Sequence, residues 1–121
     1  MNRQALKFLI VDDHDPIRRT LRELLTIPAD DVREAIDGAQ AELAYEEQRP
    51  DWVIMDVRME PVGGLTATRQ ILSRYPAAKV ILISQFDDPD LRASACDAGA
   101  HAFVSKNNLF LLVALIHSTP A

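Results

Sequence analysis

The sequence is short of cysteine, of positive charge and of long apolar runs, and each shortage removes a class of protein. A single cysteine, Cys96, in 121 residues cannot form an internal disulfide and offers no thiolate cluster, which suits a reducing compartment. Lys and Arg number 13 against 18 Asp and Glu, a formal net charge of −5. No basic run interrupts that acidic background, so direct nucleic-acid binding is not expected. The longest unbroken apolar run, Leu109 to Ile116, is eight residues, far below the roughly 20 that a membrane-spanning helix needs. The opening residues MNRQALKF hold no apolar signal core, and repeats, linkers and low-complexity stretches are missing. The expectation is a cytoplasmic chain without a membrane partner, folding as one domain over residues 1–121.

Hydrophobic residues, 48% of the chain, suffice for a core, and they fall into two alternating patterns. Short apolar runs at Leu6–Val11, Trp52–Met55, Val80–Ile83 and Ala102–Val104 read as parallel strands covered on both faces. Asp31–Ile36 is more polar and reads as a flanking strand. Helical stretches lie between them. The first opens at Asp15-Pro16, read as an N-cap followed by proline, with Ile17, Leu21, Leu24 and Leu25 as its stripe. The second follows Asp37-Gly38 and stops before Arg49-Pro50. The third begins near Gly64, carries Leu65, Ile71 and Leu72, and stops at Tyr75-Pro76. The fourth runs from Asp88-Pro89 to Gly99, and the fifth follows Lys106. Five strands alternating with five helices predict an α/β fold, a doubly wound three-layer parallel sheet.

In such a sheet ligands gather beyond the carboxyl ends of the strands. Strand one ends in Asp12-Asp13, strand three in Asp56, strand four in Ser84, and strand five at Lys106. Two carboxylates about 4 Å apart repel by roughly 4 kcal/mol at an effective dielectric of about 20. Three acids and one lysine sum to −3 + 1 = −2, so either an acid is protonated or a divalent cation balances the site. Oxygen ligands favour a hard ion, Mg²⁺ before Zn²⁺. A carboxylate nucleophile, a hard metal, a lysine and a hydroxyl are what phosphoryl transfer to an aspartate requires.

These residues, in this order, resemble the receiver domains of two-component response regulators. The likeness runs from FLIVDDHDPIRRTLRELL to GAHAFVSKNNL and includes Met59 and Gly64 after Asp56 and Gly99-Ala100 before Phe103. Helix one with Arg18-Arg19 is similar to single-domain chemotaxis regulators. SQFDDPDLR and FVSKNNL are closer to receivers attached to DNA-binding outputs. The resemblance implies a flavodoxin-like strand order 2-1-3-4-5 and a phosphorelay function. It implies Asp56 as phosphoacceptor from a sensor histidine kinase or histidine phosphotransfer protein. Mg²⁺ would be held by Asp13, Asp56 and the Arg58 carbonyl, with Asp12 acting through water. Lys106 would pair with the acceptor carboxylate and then the phosphoryl group. Ser84 would bond a phosphoryl oxygen, Phe103 would follow that hydroxyl, and helix four, strand five and helix five would form the output face. Such a domain is not an enzyme in the ordinary sense, since it catalyses only its own phosphorylation and dephosphorylation.

Several positions depart from the family. Proline comes at Pro61, one later than usual, behind Glu60, which adds a negative charge near the site loop. Asn107 stands where many relatives have a cis proline, so the usual turn does not carry over, because a cis non-proline bond costs about 2.5–4 kcal/mol. Gln85 replaces a small residue and is expected to narrow access. Helix five carries Leu109, Leu112, Val113 and Ile116 as an inward stripe, yet Phe110, Leu111, Ala114 and Leu115 make its other face apolar too. A helix apolar all round is normally covered all round, here by a homodimer, a partner or a missing output domain. Arg18, Arg19 and Arg22 form either a solvated face or a docking surface for the phosphoryl donor. His14, His101 and His117 suggest no ligand role, and Cys96 reads as a small residue on helix four. An aspartyl-phosphate phosphohydrolase would need a second acid where Arg58 stands, and two aspartates after strand one would repel a flavin phosphate. A phosphorylation-independent interaction module with the same fold is the remaining alternative.

Overall fold

A computed structural model describes residues 3–118. The strands are β1 (Lys7–Val11), β2 (Asp31–Ala35), β3 (Trp52–Asp56), β4 (Val80–Ser84) and β5 (Ala102–Ser105). They alternate with α1 (Asp15–Leu25), α2 (Gly38–Gln48), α3 (Gly64–Arg74), α4 (Pro89–Asp97) and α5 (Phe110–Ser118). The sheet is parallel throughout in the order β2-β1-β3-β4-β5, as the resemblance implied. The polar strand β2 lies at an edge, where only one neighbour and partial burial are required of it.

Alternating side chains feed two separate cores. Leu9 and Val11 of β1 pack with α2, α3 and α4, whereas Phe8 and Ile10 pack with α1 and α5. The predicted α1 stripe faces the second core, with Leu21 and Leu25 buried and Ile17 and Leu24 packed beside them. On the other face Ile71 of α3 is buried and Leu65 packs against the same core. Gln48, at the end of α2, is buried and its amide donates to the carbonyls of Phe8 and Asp31 at 3.1 and 3.0 Å, tying β1 to β2.

Helix ends follow local chemistry, with one shift. Asp37 caps α2 by accepting from the Gln40 N–H at 2.9 Å, and Asp88 caps α4 by accepting from the Asp90 N–H at 2.8 Å. Gly99, just past α4, adopts φ +93°, the left-handed position that ends a helix at little cost for glycine. At α1 the cap is His14 rather than Asp15, and no side chain fills the capping role. Asp15 is instead inside the first turn, where its charge suits the helix dipole and reaches Arg18.

The turn after β5 also departs from the usual one. Among the described residues only Glu60–Pro61 is cis, so Lys106–Asn107 is trans. A 3₁₀ turn over Lys106–Asn108 takes its place, with Ser105 Oγ accepting from the Asn107 N–H at 3.1 Å.

The start of α3 presses against the β3 end. A Cβ added at Gly64 would lie 2.1 Å from the Asp56 carbonyl oxygen, a contact that backbone must move to relieve. Gly64→Ala is expected to cost about 3 kcal/mol through this overpacking, read as a lower urea midpoint with an unchanged m-value.

Candidate functional site

The strand ends deliver their polar residues to one edge. Asp12 follows β1 and is fully buried, Asp56 closes β3 at 5% exposure, and Ser84 closes β4 at 1%. Lys106 opens the 3₁₀ turn directly after β5. The Asp12 N–H donates to the Ala35 carbonyl at 3.1 Å and the Val57 N–H to the Ile83 carbonyl at 3.0 Å, so sheet pairing continues through the acidic ends.

One ammonium serves two buried carboxylates. Lys106 Nζ lies 2.9 Å from Asp12 Oδ2 and 3.4 Å from Asp56 Oδ1. The lysine expected to pair with Asp56 is therefore shared, and it sits nearer Asp12. Two buried anions repel, and a cation between them lowers the energy of both. Burial pushes the Asp56 carboxyl above its ordinary range and the Asp12 charge adds to this, while Lys106 and the Arg58 N–H oppose it. Burial disfavours charge on Lys106 as well, but the hydrogen bond to Asp12 and the charges of Asp56 and Asp12 outweigh it, and its pKa is raised.

Asp13 does not crowd this pair. Its carboxylate is exposed and lies 3.1 Å from His14 Nδ1. Asp12, Asp13 and His14 present ligand atoms within 4.8 Å of one another, and Asp56 is not part of that tight group. No ligand role was expected of His14; only its place in the β1–α1 turn brings it in. Asp12 Oδ1 accepts from the His14 N–H at 2.9 Å. Asp12 Oδ2 is buried and, apart from the Lys106 ion pair, meets no donor at hydrogen-bonding geometry. A buried carboxylate oxygen with spare acceptor capacity, beside a second carboxylate, fits a hard divalent cation.

The cleft above Asp56 has a volume of about 110 Å³, with Asp13, Ser84, Gln85 and Lys106 in its walls. Gln85 borders it, whereas Glu60 is exposed and outside it. The Arg58 guanidinium lies 4.7 Å from the Phe86 ring centroid, and both side chains line the cleft. The family resemblance implied only a carbonyl role for Arg58 and none for Phe86. Ser84 Oγ accepts from the Phe86 N–H at 3.0 Å. Phe103 lies apart from the cleft, half-buried against the α4 side of the core, with Arg92 4.8 Å from its ring centroid.

Residues 8–116 match the response regulator receiver domain. The chain belongs to this family. Family membership implies phosphorelay signalling. This receiver is 31% identical over 108 residues to the transcriptional regulatory protein DegU of Brevibacillus brevis, which covers 88% of this chain and 46% of DegU. It spans about half the length of the curated relatives it matches. The signal receiver domain of a NarL response regulator from Mycobacterium tuberculosis superposes with a TM-score of 0.85 at 26% identity, over 96% of each chain. A structure of the CheX-CheY-BeF3-Mg²⁺ complex from Borrelia burgdorferi matches with a TM-score of 0.81 at 25% identity, covering 92% of this receiver and 88% of that chain.

The α5 surface divides differently from expectation. Leu112 and Ile116 are buried as predicted, and Phe110 and Leu111 are exposed at 78% and 49%. Leu115, assigned to the outer face, is half-buried against the α1–α5 core, because it flanks the inward stripe on the wheel. No helix among the described residues is long and apolar enough to cross a membrane.

Lys106→Met leaves Asp12 and Asp56 facing each other without a cation and is expected to destabilise the fold by about 3 kcal/mol at neutral pH. Folding favours the protonated form of Asp56, since its pKa is raised. Its penalty is thus absent at low pH and appears as pH rises through the folded pKa. Asp56→Asn should therefore raise Tm at pH 7 and lose that gain in acid, as followed by thermal melts across pH.

Proposed function

We propose that this receiver takes a phosphoryl group onto Asp56 from a sensor histidine kinase or histidine phosphotransfer protein in a Mg²⁺-dependent reaction. The observation that carries the reading is the Asp56 carboxylate at the floor of an open cleft, 3.4 Å from Lys106. A carboxylate oxygen attacks the phosphorus of a phospho-imidazole; the O–P bond forms as the P–N bond breaks, and the imidazole nitrogen keeps the electron pair and takes up a proton. Lys106 supports the ionised, nucleophilic form of Asp56 and then faces the phosphoryl oxygens. The carboxylates of Asp13 and Asp56 and the Arg58 carbonyl, with Asp12 acting through water, would hold Mg²⁺, which would supply positive charge against the developing charge on the phosphoryl oxygens. The reaction is the protein's own modification and reversal, with no external substrate turned over.

Ser84 and Phe103 act as the switch. Ser84 Oγ accepts from the Phe86 N–H, which leaves its proton to donate to a phosphoryl oxygen. That bond draws the loop into α4 toward the site and frees space for Phe103, now held beneath Arg92. Moving a two-state equilibrium from 1:99 to 99:1 needs about 5.5 kcal/mol of differential binding, and two charge-assisted hydrogen bonds of roughly 1.5–3 kcal/mol each approach it. The output face comprises α4, β5 and α5, read in the cytoplasm, and the receiver itself makes no direct contact with nucleic acid.

Incubation with acetyl phosphate should add one phosphoryl mass to the wild-type chain only with Mg²⁺, and Asp56→Asn should abolish it. The BeF3 and Mg²⁺ in the Borrelia complex support beryllofluoride as a second probe. Uptake unaffected by Asp56→Asn would overturn the reading, and no uptake in any condition would favour a receiver-fold interaction module that works without phosphorylation.

On α5, the exposed Phe110 and Leu111, with Leu115 at their border, are the part of this face that a second copy or an output segment of a longer chain would cover. Phe110→Glu with Leu111→Glu is expected to abolish concentration-dependent association in light scattering. A parent chain that is monomeric at all concentrations would remove the second copy and leave the output segment.

A further inference from the structure

Arg18 was grouped by sequence with Arg19 and Arg22 as a solvated or docking face, but its side chain is only 12% exposed. Its three guanidinium nitrogens go to three acceptors on three segments. Nε donates to Glu34 Oε1 on β2 at 2.8 Å, Nη1 to the main-chain carbonyl of Asp12 at 2.5 Å, and Nη2 to the Asp15 carboxylate in α1. Glu34 is a firm anchor: the hydrogen bond from Arg22 lowers its pKa, and that from Arg18 adds to this against the cost of burial. Asp12 is thereby held from both sides. Its N–H is bonded to Ala35 of β2, and its carbonyl, the first half of the Asp12–Asp13 peptide, is bonded to Arg18.

We propose that Arg18 is a positioning residue for the acidic turn, fixing the Asp12–Asp13 peptide so that both carboxylates meet one divalent cation. The role rests on the Mg²⁺ reading above. It uses the fork geometry of a guanidinium, which a lysine ammonium does not reproduce, and it occupies nitrogens that a docking partner would otherwise engage. Arg19 and Arg22 remain exposed, Arg22 with one bond to Glu34.

The sign of the effect separates positioning from simple charge. A guanidinium near the acids repels a cation, so its removal by charge alone would tighten Mg²⁺ binding; loss of positioning weakens it. Partners one shell out from a metal typically change affinity by about 10- to 100-fold when removed. Mg²⁺ titration calorimetry on the full chain is therefore expected to give a Kd about tenfold higher for Arg18→Gln. Arg22→Gln, which removes a charge beside the same Glu34 without touching Asp12, should bind as the parent does or more tightly. Arg18→Lys, with one nitrogen for three acceptors, should fall between parent and Arg18→Gln, and it carries the test alone if Arg18→Gln does not fold. Parent-like or tighter binding in the Arg18 variants, with a parent that binds Mg²⁺, overturns the positioning role and leaves the Mg²⁺ reading standing. A parent chain that binds no Mg²⁺ overturns that reading and this role with it.

Discussion

Two carboxylates buried at the end of a sheet and a single ammonium between them set the terms for the rest of this receiver. Asp12 and Asp56 sit on adjacent strands, and without Lys106 their repulsion would oppose the closure of the fold at that edge. The lysine makes the pair tolerable without making it stable, since it stands closer to Asp12 and leaves Asp56 with a raised pKa. A site arranged this way has unspent affinity for positive charge. It is suited to a partner that brings a cation, and to a chemical change that redistributes negative charge among the same ligands.

The surrounding structure keeps that arrangement from relaxing. Parallel pairing runs through the acidic ends, so the main chain at Asp12 and just after Asp56 is fixed by sheet hydrogen bonds. Gly64 lets α3 start directly against the Asp56 backbone, and Arg18 joins the β1–α1 turn to β2 and α1. Rigid support of this kind is what the proposed acceptor site needs, because small displacements of a reacting group cost much of the rate. The proposed switch is placed elsewhere. The loop from Ser84 into α4 is bordered by exposed residues and is joined to Phe103 through Arg92, which also bonds Asp87 at 2.5 Å.

Much of the fold was legible because burial on both faces leaves a plain mark: strands such as VILI and WVIM are continuously apolar, and the Asp-Pro and Gly signals bound α4. The acids and the lysine were legible as a rim because parallel strands must end together. Other features left no such mark. The transfer of Lys106 toward Asp12, the outward turn of Asp13 toward His14, the stacking of Arg58 on Phe86 and the half-burial of Leu115 all depend on side-chain directions, and a linear pattern does not encode these.

The amino-acid sequence alone determined the layered α/β fold and the set of groups that meet at its edge, because periodicity and strand polarity follow from local spacing. Tertiary structure alone decided which carboxylate holds the ammonium and which arginine is half-buried as a brace instead of offered to a partner. Those choices rest on distances of a few ångströms between segments far apart in the chain, where Coulomb energy and burial change steeply and spacing along the sequence carries no information.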